Sequence, residues 1–202
     1  MFDATNKFDL NWLDVSEVHD MSYLFQYLTS DIDISQWDVS NVKLMDFMFE
    51  HSICQVDLSK WNVSNVISMV SMFANSHFTG DISNWDVSSV ISMRKMFNSS
   101  EFNGDLSKWN TSNVTDMDSM FQFSKFNNDS LANWDVSNVT NMMGMFACSQ
   151  FNGKLTNWKL TSTTNLSNMF EETPFNNDSI CNWDVSHIDN MSYMFANCSD
   201  FN

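Results

Sequence analysis

Seven of the eight tryptophans in this 202-residue chain recur at a fixed step. Trp37, Trp61, Trp85, Trp109, Trp134, Trp158 and Trp183 are separated by 24, 24, 24, 25, 24 and 25 residues. Twelve residues after each comes a phenylalanine (Phe49, Phe73, Phe97, Phe121, Phe146, Phe170, Phe195), and each of these follows a methionine, Met48 to Met194. Self-similarity at such a period marks stacked supersecondary units, which cannot bury their apolar face alone. Taking the Trp as position zero, Leu13 fills that place in the first repeat, 24 residues before Trp37, with Phe25 twelve residues on. Eight repeats result, and Trp12 is the one tryptophan outside the register. No linker or charge block interrupts them, so residues 1–202 are expected to form one domain.

Within a repeat, the apolar residue at −3, the Trp and the residue at +2 give an LxxLxL-like pattern, as in Leu58, Trp61 and Val63. In a short strand, zero and +2 share the inward face while −1, +1 and +3 point out. The second half has helical spacing: Val42, Met45, Met48 and Phe49 fall at i, i+3, i+6 and i+7. Ser40 or Asn41 suits an N-cap, and Pro174, the only proline, falls where the helix of repeat seven should stop. The expected fold class is therefore an α/β repeat solenoid of eight coils. Each coil would carry one short parallel strand and one short helix. Each large aromatic buried between coils removes roughly 150–250 Å² from water. The sixteen methionines read as core filler at fixed positions. Phe201-Asn202 matches the opening of a further coil, as in Phe151-Asn152, which suggests a piece of a longer array with ends open to end-to-end self-association.

Twenty-five acids against nine bases give a formal charge of −16. That balance disfavours nucleic acid and anionic membrane surfaces, which need a basic face. No stretch approaches the roughly 18 apolar residues of a membrane span, and the first residues carry no export leader. The four cysteines (Cys54, Cys148, Cys181, Cys198) form no CxxC pair and read as isolated small core residues. Ten Asn-x-Ser/Thr sequons, Asn62, Asn110 and Asn138 among them, arise mostly as a by-product of the repeat.

The units Trp-Asp-Val-Ser-Asn-Val-x-x-Met-x-x-Met-Phe (Trp37 to Phe49, Trp134 to Phe146) and Phe-Asn-Gly-Asp-Leu-Ser-x-Trp (Phe102 to Trp109) resemble the BspA-type leucine-rich-repeat surface proteins, a repeat also found in mycoplasma surface proteins of unknown function. The resemblance covers nearly the whole chain. It implies a right-handed leucine-rich-repeat-like solenoid with a parallel sheet on one face. It also implies a cell-surface or extracellular location and adhesion to a protein or glycan on another cell or host matrix. It supplies no catalytic residues.

The outward strip of the expected sheet is the natural binding surface of a solenoid. Its +1 row reads Asp14, Asp38, Asn62, Asp86, Asn110, Asp135, Lys159 and Asp184, flanked by Asn, Gln and Lys at −1 and by Ser or Thr at +3. Trp12, Asp38, Asn62, Asp86, Asn110, Asp135, Lys159 and Asp184 are the expected contact residues. Trp12 would be an aromatic anchor or a lid over the first coil. Repeat seven departs from the pattern with Lys154, Lys159 and Thr163, a basic spot on an acidic body. A strip this polar could equally be a structural ladder, because strong interfaces favour Trp, Tyr and Arg anchors. A calcium ladder would need convergent carboxylates and the glycine-rich pattern of calcium rolls, but only four glycines occur; no metal or cofactor is expected. His19, His51, His77 and His187 sit at four different offsets. No nucleophile elbow, P-loop, dinucleotide fingerprint or zinc-protease motif is present, so no enzyme is expected.

Overall fold

The structure is a computed structural model and describes residues 7–198 and 201. Met1 to Asn6, Ser199, Asp200 and Asn202 lie outside the described residues, and with them the expectations about a leader and part of the Phe201-Asn202 match.

The inward set is the one the repeat spacing marks. The Trp at zero, the apolar residues at −3, +2, +5, +8 and +11, and the Phe at +12 are buried through the inner repeats. They form one continuous core from Val15 to Met194. The rings lie in files that run from repeat to repeat. Trp37 stacks on Trp61 at 6.5 Å and Trp158 on Trp183 at 6.2 Å. Phe49, Phe73, Phe97 and Phe121 follow one another at 5.7, 5.7 and 5.5 Å. A second file, Phe78, Phe102, Phe126, Phe151 and Phe175, packs against the first, with Phe146 and Phe151 at 3.9 Å. Offset stacking at such distances adds to the area buried. Cys54 takes the place of Phe78 in the preceding repeat and is likewise buried.

The backbone differs from the expected strand and helix. The Trp segment is not a strand. It is two tight turns in succession, Leu58 to Trp61 and Val63 to Val66, each closed by an N–H of the fourth residue on the carbonyl of the first, at 3.1 and 2.9 Å. Apolar residues stand at the ends of each turn and polar ones at its corner. The LxxLxL spacing follows from that geometry as readily as from a strand.

Nor is the Val42-to-Phe49 segment a helix. Met48, Glu50 and Ser52 donate to Met45, Phe47 and Phe49, three residues back rather than four. Phe47 and His51 have φ of 58° and 57°. Every repeat has left-handed residues at +10 and +14, for example Ser71 and Asn75, or Asn168 and Glu172. A positive φ at the third residue of a turn is the type II signature and cannot continue an α-helix. It turns alternate N–H groups out of the repeat. Met45, Phe47, Phe49 and His51 donate to the carbonyls of Ser68, Val70, Met72 and Ala74 in the next repeat, at 3.1, 2.8, 2.9 and 2.9 Å. The parallel bridges Asp20↔Leu44, Leu44↔Ser68, Ser68↔Ser92 and onward to Asn165↔Asn190 belong to this ladder. Parallel pairing thus lies at +7, not at the tryptophans. The two regular strands, β1 (Phe8–Asp9) and β2 (Ile32–Asp33), pair in parallel at the start. The regular helices of the described residues are two single 3-10 turns, Asp129–Leu131 and Asp178–Ile180.

Why tryptophan occupies position zero follows from hydrogen bonding. The indole nitrogens of Trp37, Trp61, Trp85, Trp109, Trp134 and Trp158 donate to Leu10, Ile34, Leu58, Ile82, Leu106 and Leu131, at 2.8 to 3.1 Å. Each acceptor is the carbonyl at −3 of the preceding repeat. Each of these carbonyls also accepts the N–H that closes its own turn, so a phenylalanine would fill the core and forfeit only the second bond, the one between repeats. Asparagines at +4 form a parallel set of rungs: Asn41, Asn65, Asn113 and Asn138 donate to Ser16, Ser40, Ser88 and Ser112. Thr163, the departure in repeat seven, is fully buried and donates to Val139 at 2.8 Å, so its hydroxyl is satisfied.

Candidate binding face

The expected contact residues all lie on the surface, but their surroundings differ from the expectation. No sheet carries them; all but Trp12 stand at the entry to the +2-to-+5 turns, and Trp12 lies within the Leu10-to-Leu13 turn. Asp38, Asp86, Asp135 and Asp184 each accept the backbone N–H of the serine two residues on at 3.0 Å, and Asn62 and Asn110 do so at 3.2 Å. These are Asx turns, in which a short polar side chain stands in for a backbone acceptor. The serine hydroxyl and N–H together hold Asp38, Asp86, Asp135 and Asp184 below the usual carboxylate range. The same device recurs at −4, where Asp33, Asp57, Asp81 and Asp105 accept from Ser35, Ser59, Ser83 and Ser107. The +1 row therefore has a folding duty in six of its expected members.

Lys159 breaks the row. It is exposed between Asp135 and Asp184 and lacks an acceptor for such a turn. Around it lies a shallow hollow of about 690 Å³ lined by Asn133, Asp135, Ser137, Asn157, Lys159 and Asn182. A smaller one of about 380 Å³ adjoins it, reaching Thr161, Asp184 and His187. Asn157 donates to Asn133 at 2.7 Å, which fixes the orientation of both amides. His187 replaces the +4 asparagine, and its Nε2 lies 2.6 Å from the carbonyl of Leu160. The Lys159 ammonium adds to the serine hydrogen bonds that depress Asp135. The hollow thus holds amides, carboxylates and one ammonium side by side, a set suited to hydrogen-bonding a polar ligand.

Trp12 is 76% exposed and stands apart from this hollow in repeat one, beside Leu13, itself 44% exposed. It covers no core there as a lid would. A group missed by sequence reasoning lies in repeats one and two, where Tyr23, Phe47, Tyr27 and His51 occupy the left-handed +10 and +14 positions. On an expected helix these were ordinary outward sites. The available signal was two neighbouring repeats carrying rings where the next carries Ser71 and Asn75.

Among the described residues no three His, Cys, Asp or Glu gather as a metal would need, and no helix is long and apolar enough to cross a membrane. Burial and the neighbouring Glu172 push the Cys148 thiol up to about 11, which leaves it protonated near neutral pH.

Together these features define a tandem-repeat protein whose outward polar row is interrupted once, at Lys159. The family described as Mycoplasma protein of unknown function, DUF285, matches residues 1–101, 52–147 and 122–202, and the chain belongs to it. No curated protein and no solved structure matches the chain.

Proposed function

We propose that this chain is a non-enzymatic solenoid module, displayed on the cell surface, that binds a protein or glycan through its Asx-turn face. The observation that carries this reading is the hollow at Lys159. There the repeat gives up its usual turn residue, and hydrogen-bonding side chains surround a concavity instead. The likeness to BspA-type surface repeats supports the adhesive role and the surface location. Asp38, Asn62, Asp86 and Asn110 extend the face along the array, where weak contacts would add through multivalency. Screening the full chain against glycan and extracellular-protein arrays tests the proposal. Saturable binding should fall at least about tenfold, ~1.4 kcal/mol, in Lys159→Ala and Asn157→Ala. Binding indifferent to both substitutions would place the site elsewhere.

A second reading, a structural or assembly element, draws on the repeat edges. In repeat eight the N–H groups of Met191, Tyr193, Phe195 and Asn197 have no backbone acceptor among the described residues. In repeat one the carbonyls of Asp20, Ser22, Leu24 and Gln26 accept no ladder bond from the described residues. These edges complement one another, and concentration-dependent light scattering with ordered rods in electron micrographs would favour this reading.

A further inference from the structure

Tyr23 stacks on Phe47 at 4.7 Å with rings 6° from parallel, and Tyr27 stacks on His51 at 4.9 Å, also at 6°. In sequence the two pairs flank a hydrogen bond from Gln26 Nε2 to Glu50 Oε2 of 2.6 Å. Tyr23 is 54% and Tyr27 63% exposed. All four rings sit on left-handed backbone, with φ of 64°, 58°, 60° and 57°. That conformation disfavours bulky side chains and is most readily taken by Gly, Asn and Asp. Elsewhere these positions mostly hold small or polar residues such as Ser71, Asn75, Ser119, Gly144 and Asn168. Rings placed here strain the backbone, and Tyr23, Tyr27 and His51 stay exposed with Phe47 half-buried beneath Tyr23, so folding alone gives no reason for them; strain of this kind points to function.

The same two repeats carry half of the chain's surplus charge. Residues 8–56 contain nine carboxylates (Asp9, Asp14, Glu17, Asp20, Asp31, Asp33, Asp38, Asp46, Glu50) and one base, Lys43, a net −8 in a quarter of a chain whose total is −16. Exposed rings amid surplus carboxylates are the surroundings that bind guanidinium and ammonium groups, through the ring quadrupole and through ion pairing. Complementary charge also speeds encounter with such a partner.

We propose that the Tyr23–Phe47 and Tyr27–His51 patch is a docking site for an arginine-bearing segment of a partner protein. It is separate from the Lys159 hollow. The test uses the full chain and a short Gly/Ser peptide carrying two arginines, compared by titration calorimetry with the same peptide carrying citrulline, which keeps the shape and loses the charge. The double variants Tyr23→Ser/Phe47→Ser and Tyr27→Asn/His51→Asn install the residues of repeat three and leave the carboxylates in place. Each should weaken arginine-peptide binding about tenfold. Phe123→Ser, which removes an exposed ring outside the patch, and Lys159→Ala should leave it unchanged. Equal affinity for arginine and citrulline peptides overturns the proposal, a result that needs only the unaltered chain. So does undiminished binding by both double variants, which would assign the attraction to bulk negative charge.

Discussion

Trp85→Phe isolates the hydrogen bond that joins one repeat to the next. Trp85 is 3% exposed, and its indole donates to the carbonyl of Leu58 at 3.0 Å. Phenylalanine keeps a ring in the file but removes the donor. The Leu58 carbonyl keeps the turn N–H of Trp61, so the loss is that of one net hydrogen bond, about 0.5–1.5 kcal/mol. The smaller ring also forfeits some 40 Å² of buried apolar surface, about 1 kcal/mol. The sum is about 1.5–2.5 kcal/mol, and a chain of this size loses roughly 2–4 °C of Tm per kcal/mol. Trp183→Phe supplies the control, because the indole nitrogen of Trp183 is buried and has no acceptor among the described residues. That substitution should cost about 1 kcal/mol or less, since only ring area is lost. Urea titrations followed by far-UV circular dichroism measure both. Equal losses in the two variants would refute the hydrogen-bond account of position zero and leave ring size as the reason for tryptophan.

Two glycines should respond in a way opposite to their φ values. Gly144 has φ +57° and room for a side chain, and neighbouring repeats place Ser119 and Asn168 there, so Gly144→Asn should change stability by less than about 0.5 kcal/mol. At Gly153 a Cβ would collide with the backbone oxygen of Asn128, so Gly153→Ala should destabilise by about 1–3 kcal/mol in thermal melts. Acid should unfold the array through its Asx turns. Asp33, Asp38, Asp57, Asp86 and Asp135 have depressed folded-state pKa values. Their contribution is complete above the unfolded carboxylate value of about 3.9 and disappears as pH falls through the folded values. Tm followed from pH 6 downward should drop steeply below about pH 4; a Tm that stays level to pH 2.5 would show the turns to be indifferent to charge.

The inward residues were legible in the sequence because burial repeats with the period. Trp37, Met45, Met48 and Phe49 all point where the spacing puts them. The backbone was not legible for a specific reason. A run of four-residue turns brings apolar residues to one side every three or four positions, as a helix does, and hydrophobic spacing does not separate the two. The left-handed residues that would have separated them include Phe47, Lys95, Cys148 and Glu172, types that carry no turn signal; among the described residues asparagine takes such a position only at Asn75, Asn168 and Asn197 and glycine only at Gly144. The candidate face was legible by position and misread by duty. Asp38 and Asp86 looked like free ligands until the N–H groups of Ser40 and Ser88 were seen to occupy them. Lys159 stood out in the sequence as a departure, and the hollow around it required coordinates.

The ladder at +8 to +14 has an electrical consequence. Within each repeat four peptide units send their N–H groups toward the following repeat and their carbonyls toward the preceding one, as Met45, Phe47, Phe49 and His51 show. Two or three per repeat run the other way, as at Lys43 to His19 and Ile53 to Leu28. The surplus dipoles add as they do along a helix, but with reversed sense, since a helix directs its N–H groups toward its own beginning. Repeat one therefore lies at the negative pole and repeat eight at the positive one. The acid-rich first quarter of the chain deepens that pole, and a cation drifting past the molecule would be drawn to its early turns before touching any side chain.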